Sequence, residues 1–249
     1  MLKDKLKVSI YANRLEMGKA AAAAVAERIS KLLADKNDIN MVFAAAPSQN
    51  EFLETLINNR EIKWDRINAF HLDEYIGLSP EAPQGFGNFL RKKLFDCVDF
   101  KSVNYLNGSE NGEIFECERY SKLLKQFPLD IACIGIGENG HLAFNDPPVA
   151  DFKDEALVKV VELDEVCRRQ QVNDGCFAAL DMVPARALTL TIPAIMSAEY
   201  IYCMVPGKSK AEAVERTLNG PVSETCPASI LRTHEAAELF LDEESDGEI

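Results

Sequence analysis

Histidine and basic residues are scarce in this chain of 249 amino acids, which has three His and 27 Lys and Arg against 40 Asp and Glu, a formal net charge of −13. A surplus of acid repels phosphate backbones, which excludes bulk nucleic-acid binding but leaves room for a locally positive pocket. No apolar run reaches the roughly 18 residues of a membrane span. The charged start, Met1-Leu2-Lys3-Asp4-Lys5, lacks a signal-peptide apolar stretch. The expectation is a soluble, cytoplasmic protein that engages no membrane. Seven cysteines, at positions 97, 117, 133, 167, 176, 203 and 226, are odd in number and none forms a C-x-x-C pair. With so few His to join them, no zinc site is expected, and the thiols read as buried and reduced.

What the chain does have is 47% hydrophobic residues, ample for a large core. It has no Gly/Ser-rich linker and no repeat. One domain over residues 1–241 is expected, followed by a solvated acidic tail, 242–249. Residues 7–12 alternate weakly, as a strand does. An Ala-rich helix starts near Glu16 and runs through Leu33. The continuous apolar run 39–46 marks a buried parallel strand. Ser48, with Glu51 three residues on, reads as an N-cap and capping box for the next helix. Further strands are predicted at 67–72, 103–106, 129–136, 156–163, 187–192, 200–205 and 239–241, with helices at 86–98, 114–124 and 208–218. Alternation of this kind predicts an α/β fold, Rossmann-like, with a mostly parallel sheet and helices on both faces.

Three stretches carry chemistry. Gly135-Ile136-Gly137-Glu138-Asn139-Gly140 fits G-x-G-x-x-G after a strand, yet a dinucleotide fingerprint needs a helix to start inside the motif. His141-Leu142-Ala143-Phe144-Asn145-Asp146-Pro147-Pro148 follows instead, which no helix survives. What remains is a glycine-rich loop at a strand's carboxyl end, where open α/β sheets place ligands. Gly137 and Gly140 let backbone amides approach a substrate. His141, with Asp146 five residues on and Asn139 two before, is either a general acid/base or a surface His paired for local order. In the second stretch, Phe70-His71-Leu72-Asp73-Glu74-Tyr75-Ile76-Gly77-Leu78, a strand persisting through Asp73 would put His71 and Asp73 on one face. Asp73 is then either a proton-abstracting base or an ordinary polar strand exit. In the third, Lys208 and Lys210 open a helix, where basic residues make sense beside a bound anion but are also ordinary solvated lysines. Arg168-Arg169-Gln170-Gln171 is a basic, amide-rich patch with the same two readings.

Together these motifs resemble the glucosamine-6-phosphate deaminase/isomerase family, and the likeness runs from Glu16-Met17-Gly18 to Pro227-Ala228-Ser229-Ile230-Leu231. The resemblance implies conversion of glucosamine 6-phosphate and water to fructose 6-phosphate and ammonia, without metal or redox cofactor. It also implies a homo-oligomer, commonly a hexamer, whose partner is a phosphorylated amino sugar. Carried over by motif, Asp73 is the base between C2 and C1, and His141 opens the ring. Asp146 stands where the family usually has Glu and orients His141; its side chain is one methylene shorter, so a longer contact is expected unless the loop shifts. Asn139 matches a position that is Asp or Asn, and Lys210 matches the phosphate-binding Lys. Two departures stand out. Ala44-Ala45-Ala46-Pro47-Ser48-Gln49-Asn50 replaces a glycine-containing phosphate loop, leaving Ser48 and Gln49 as its polar groups. The family's phosphate-contacting Arg falls near Gln171, with Arg168 or Arg169 as the available substitutes. The alternatives are a 6-phosphogluconolactonase-like lactone hydrolase and a non-catalytic sugar-phosphate-binding paralogue.

Overall fold

The structure is a computed structural model and describes residues 1–109, 112–173 and 175–246. Its main sheet has eight strands: β1 (Leu2–Lys3), β2 (Leu6–Tyr11), β3 (Ile39–Phe43), β4 (Ile67–His71), β6 (Ser102–Asn104), β7 (Ile131–Ile134), β10 (Tyr200–Val205) and β11 (Ala237–Asp242), in the order β1-β2-β11-β10-β7-β3-β4-β6. Every pairing is parallel except β1 with β2. A parallel strand is buried on both sides, so its residues serve two cores alternately. Met41 and Phe43 pack into one cluster with α1 (Arg14–Asp35), α2 (Asn50–Ile57) and α3 (Phe86–Leu90). Val42 packs into the other, with α4 (Glu113–Gln126), α6 (Ile192–Met196) and α7 (Ala211–Asn219). The expected mostly parallel sheet with helices on both faces is therefore present, in a single domain. Helix α1 starts two residues before the predicted Glu16, because the Asn13 side chain accepts the Glu16 N–H at 3.0 Å.

Three strands were not separable by sequence from the main sheet. β5 (Asp73–Tyr75), β8 (Val158–Glu162) and β9 (Arg186–Leu190) form a small antiparallel sheet of their own, in the order β5-β9-β8. Helix α5 (Glu165–Asn173), also unforeseen, connects β8 towards β9. Strand β4 covers all but the last residue of the predicted 67–72 and does not persist through Asp73; at Leu72 the chain passes from one sheet to the other.

Two expectations are corrected. Ser48 is no N-cap: it lies inside a 3-10 turn, Pro47–Gln49, and Glu51 pairs with Arg14 at 2.7 Å instead of closing a capping box. The acidic segment is not a solvated tail over its described part. Asp242 ends β11 and is buried, and α8 (Glu243–Asp246) folds back with Ser245 buried; residues 247–249 lie outside the described residues. Among the described residues no helix is long and apolar enough to cross a membrane.

Candidate active site

The loops after β3, β4, β7 and β10 leave the carboxyl edge of the sheet together, where its strand order reverses direction. They enclose a cavity of about 230 Å³ whose wall includes Ser48, Gln49, Asp73, Gly137, His141, Gln171, Ser209 and Lys210. Residues predicted from three separate stretches of sequence thus meet in one place.

Asp73 is aimed by its strand change. His71 Nδ1–H donates to the Asp73 carbonyl at 2.9 Å, while His71 Nε2 accepts the Leu106 N–H at 2.9 Å. His71 is wholly buried, and desolvation pushes its pKa down to about 4, so it stays a neutral bracket rather than a catalytic partner. Pairing of Asp73 with Thr189 and of Tyr75 with Ala187 on β9 then fixes the turn. Asp73 itself is 7% exposed. Burial, with Glu74 adding repulsion, pushes its carboxyl well above the usual carboxylate range. Adjacent residues of a strand face opposite ways, and Glu74 serves a different purpose. Its carboxylate accepts the N–H groups of Tyr75, Phe86 and Gly87 at 2.8 to 3.0 Å, tying α3 down.

His141 stands on a short relay. Its Nδ1 lies 2.9 Å from Asp146 Oδ1 and 2.9 Å from Asn139 Oδ1, while Asn139 Nδ2 donates to Asp146 Oδ1 at 2.8 Å. With Nδ1 engaged on this side, Nε2 is the nitrogen left for a ligand. The shorter Asp does not lengthen the contact. Desolvation would raise the Asp146 pKa, yet His141 and hydrogen bonds from Asn139 and Cys167 hold it below the ordinary value. Burial and the same carboxylate push the Cys167 thiol up, so it stays protonated. His141, Asp146 and Cys167 bring ligand-type atoms within 4.8 Å of one another, and Asp146 Oδ1 takes both the His141 and the Asn139 contacts.

Gly137 and Gly140 shape the loop rather than line it equally. Gly137 is on the cavity wall under the His141 ring. Gly140, at φ +87°, donates to the Gly137 carbonyl at 2.9 Å and faces Cys226. It makes the turn and is not on the wall, which corrects its expected contact with substrate. Ala143, on the wall, holds φ +50°, a strained value for a residue with a Cβ.

The basic patch is corrected too. Arg169 is exposed and ion-paired with Glu165, away from the cavity. Arg168 is locked onto the carbonyls of Leu180 and Val183. Gln171 lines the cavity instead, and Gln170 beside it accepts the Glu138 N–H at 2.9 Å. The base that sequence reasoning missed is Arg14, on the wall and bonded to the Pro47 carbonyl at 3.0 Å and to Glu51. No local motif marks it; only the packing of α1 beside the β3 loop brings it there.

The sequence profile of glucosamine-6-phosphate isomerases/6-phosphogluconolactonase matches residues 12–240. The chain belongs to this family. A glucosamine-6-phosphate deaminase of Exiguobacterium sibiricum is 39% identical over 190 residues, covering 74% of this chain and 73% of that protein. One of Clostridium acetobutylicum is 32% identical over 231 residues, covering 91% and 93%. Among solved structures, a monomeric glucosamine-6-phosphate deaminase superposes with a TM-score of 0.87 at 32% identity, over 96% of this chain and 98% of that one. The 6-phosphogluconolactonase of Thermotoga maritima gives 0.78 at 20% identity over 96% and 100%, a likeness of fold alone. Within the glucosamine-6-phosphate isomerase/6-phosphogluconolactonase family, these names divide between two reactions, so the choice between them falls to the residues on the cavity wall.

Proposed function

We propose that the chain is a glucosamine-6-phosphate deaminase, converting glucosamine 6-phosphate and water to fructose 6-phosphate and ammonia. One observation carries this reading: a buried carboxyl, Asp73, shares a cavity with a His–Asp pair and with Lys210. A carboxylate whose pKa is raised by burial is a stronger base once ionised. Asp73 takes the C2 proton of the opened aldose and returns it to C1, passing through an enolamine. Water then hydrolyses the resulting ketose imine, and ammonia leaves. His141, oriented through Nδ1 by Asp146 and Asn139, presents Nε2 to the ring oxygen as the acid/base that opens the pyranose. Lys210, Ser48 and Gln49 take the phosphate, with Arg14 as a further cation where the family's Arg is replaced by Gln171. None of these steps asks for a metal.

Hydrolysis of a lactone needs no base at C2, so Asp73 weighs against the lactonase reading. A pure binding protein has no use for a carboxyl buried at a cost in stability, which weighs against a non-catalytic paralogue. The resemblance implies a homo-oligomer, whereas the similar solved deaminase is monomeric; light scattering on the purified chain decides the assembly. The cytoplasm remains the proposed location.

The test is to supply glucosamine 6-phosphate to the purified chain and follow both products. Ammonia and fructose 6-phosphate are expected in equal amounts. Hydrolysis of 6-phosphogluconolactone with neither product would transfer the chain to the lactonases, and silence on both would make it a binding protein.

A further inference from the structure

The loop that carries Lys210 begins at Gly207, whose backbone sits at φ +95°, in the left-handed region. Nothing lies within 4 Å of where a Cβ would stand, so the residue is Gly for its backbone and not for space. The group that holds this backbone comes from the other end of the sequence. The Gly207 N–H donates to the Asp242 carboxylate, 2.9 Å from Oδ1 and 3.2 Å from Oδ2. Strands β10 and β11 are neighbours, so the carboxylate at the end of β11 sits beside the loop that leaves β10.

Asp242 is itself held. The Ser245 N–H donates to Asp242 Oδ1 at 2.9 Å, Ser245 Oγ donates to the Asp242 carbonyl at 3.1 Å, and the Asp242 N–H donates back to Oγ at 3.1 Å. Asp242 is 2% exposed. From Gly207 the connection continues to the cavity, because the Gly207 carbonyl accepts the Lys210 N–H at 3.0 Å. That bond closes the 3-10 turn Lys208–Lys210, which presents Lys210 on the wall.

We infer that Asp242 is a positioning residue for phosphate binding, acting through Gly207 on Lys210, and that the acidic carboxyl-terminal turn is a buttress of the phosphate subsite. The inference rests on the sugar-phosphate reading of the cavity. A charge-assisted contact to phosphate depends on where its donor is held, so the effect falls on substrate affinity, while Asp73 and His141, held by other loops, keep their places.

The experiment compares Asp242→Ala, Asp242→Asn and Gly207→Ala with Glu244→Gln, an exposed acid on the same turn, as control. Asp242→Ala is expected to raise KM for glucosamine 6-phosphate at least tenfold with kcat within threefold. Asp242→Asn, which keeps an acceptor oxygen, restores most of the affinity. Gly207→Ala meets no atom, acts only through the backbone, and reproduces the Asp242→Ala effect even if that variant does not fold. Glu244→Gln stays at wild-type values. A fall in melting temperature and kcat with KM unchanged, in either Asp242→Ala or Gly207→Ala, overturns the inference. Calorimetric titration with inorganic phosphate separates it from the reaction. Tenfold weaker phosphate binding in Asp242→Ala supports the inference even if glucosamine 6-phosphate proves not to be the substrate. Equal phosphate affinity overturns it whatever the substrate, and a wild type that binds no phosphate overturns both.

Discussion

The His141 ring lies on the α-carbon of Gly137 so closely that a β-carbon there would stand 2.1 Å from Nε2. The glycine is therefore the floor on which the imidazole rests, and the contact sets the ring's height in the cavity. Gly137→Ala must displace the ring or the loop. The expected outcome is a loss of kcat of about 100-fold, as for a displaced catalytic group, with the far-ultraviolet circular dichroism unchanged. Wild-type kcat in this variant would show that His141 tolerates another position.

Asp146 reaches His141 at 2.9 Å without the methylene that the family usually supplies. Asp146→Asn keeps the shape but removes the charge, and kcat is expected to fall roughly 10- to 100-fold, as for other groups that orient a working imidazole. Because the folded Asp146 pKa is lowered, its stabilisation is present above the unfolded value and lost as pH falls through the folded one. The Asn variant should therefore be less stable than wild type at pH 7 and approach it in acid, as read by thermal melting. Asp146→Glu, crowded against Cys167, is expected to lose activity rather than gain it.

Asp73 has the opposite sign. Its folded pKa is raised by burial and by Glu74, so its contribution to stability is whole below the unfolded pKa and is lost as pH rises through the folded one. Asp73→Asn is expected to melt near wild type at pH 4 and above it at pH 8. A melting difference independent of pH would mean that the carboxyl is not held protonated by its surroundings.

Lys210 and Arg169 separate the phosphate subsite from the basic patch that sequence alone suggests. Lys210→Ala is expected to raise KM at least tenfold, in keeping with a lost charge-assisted contact. Arg169→Ala, exposed on α5 and paired with Glu165, should leave KM and kcat within twofold. Equal effects from the two would return Arg169 to the site.

Much of this was legible in the residues. Strand runs such as 39–43, apolar but for Asn40, and 200–205 are rich in apolar residues because parallel strands are covered on both faces, and that pattern is local. Asp73, His141 and Lys210 each stand in a stretch of recognisable type, and the cavity unites them. The second sheet was not legible, since β8 and β9 carry the same strand signals as the main sheet and differ only in their partners. Arg14 was missed as a wall residue because its place depends on packing between distant segments, whereas Gln171 stands on the wall at the position where the family's Arg falls. The acidic carboxyl-terminal run misled because charge suggests solvation, whereas the buried Asp242 accepts the local Ser245 N–H and the N–H of Gly207, a contact 35 residues away that no local pattern announces.

Movement of the C2 proton by Asp73 is followed by incubating glucosamine 6-phosphate with the protein in deuterium oxide and recording the C2 proton signal by nuclear magnetic resonance. Wild type is expected to wash deuterium into C2 of recovered substrate and into C1 of fructose 6-phosphate, and Asp73→Asn to do neither while binding substrate with near-normal affinity. Exchange at the wild-type rate in Asp73→Asn would contradict the account.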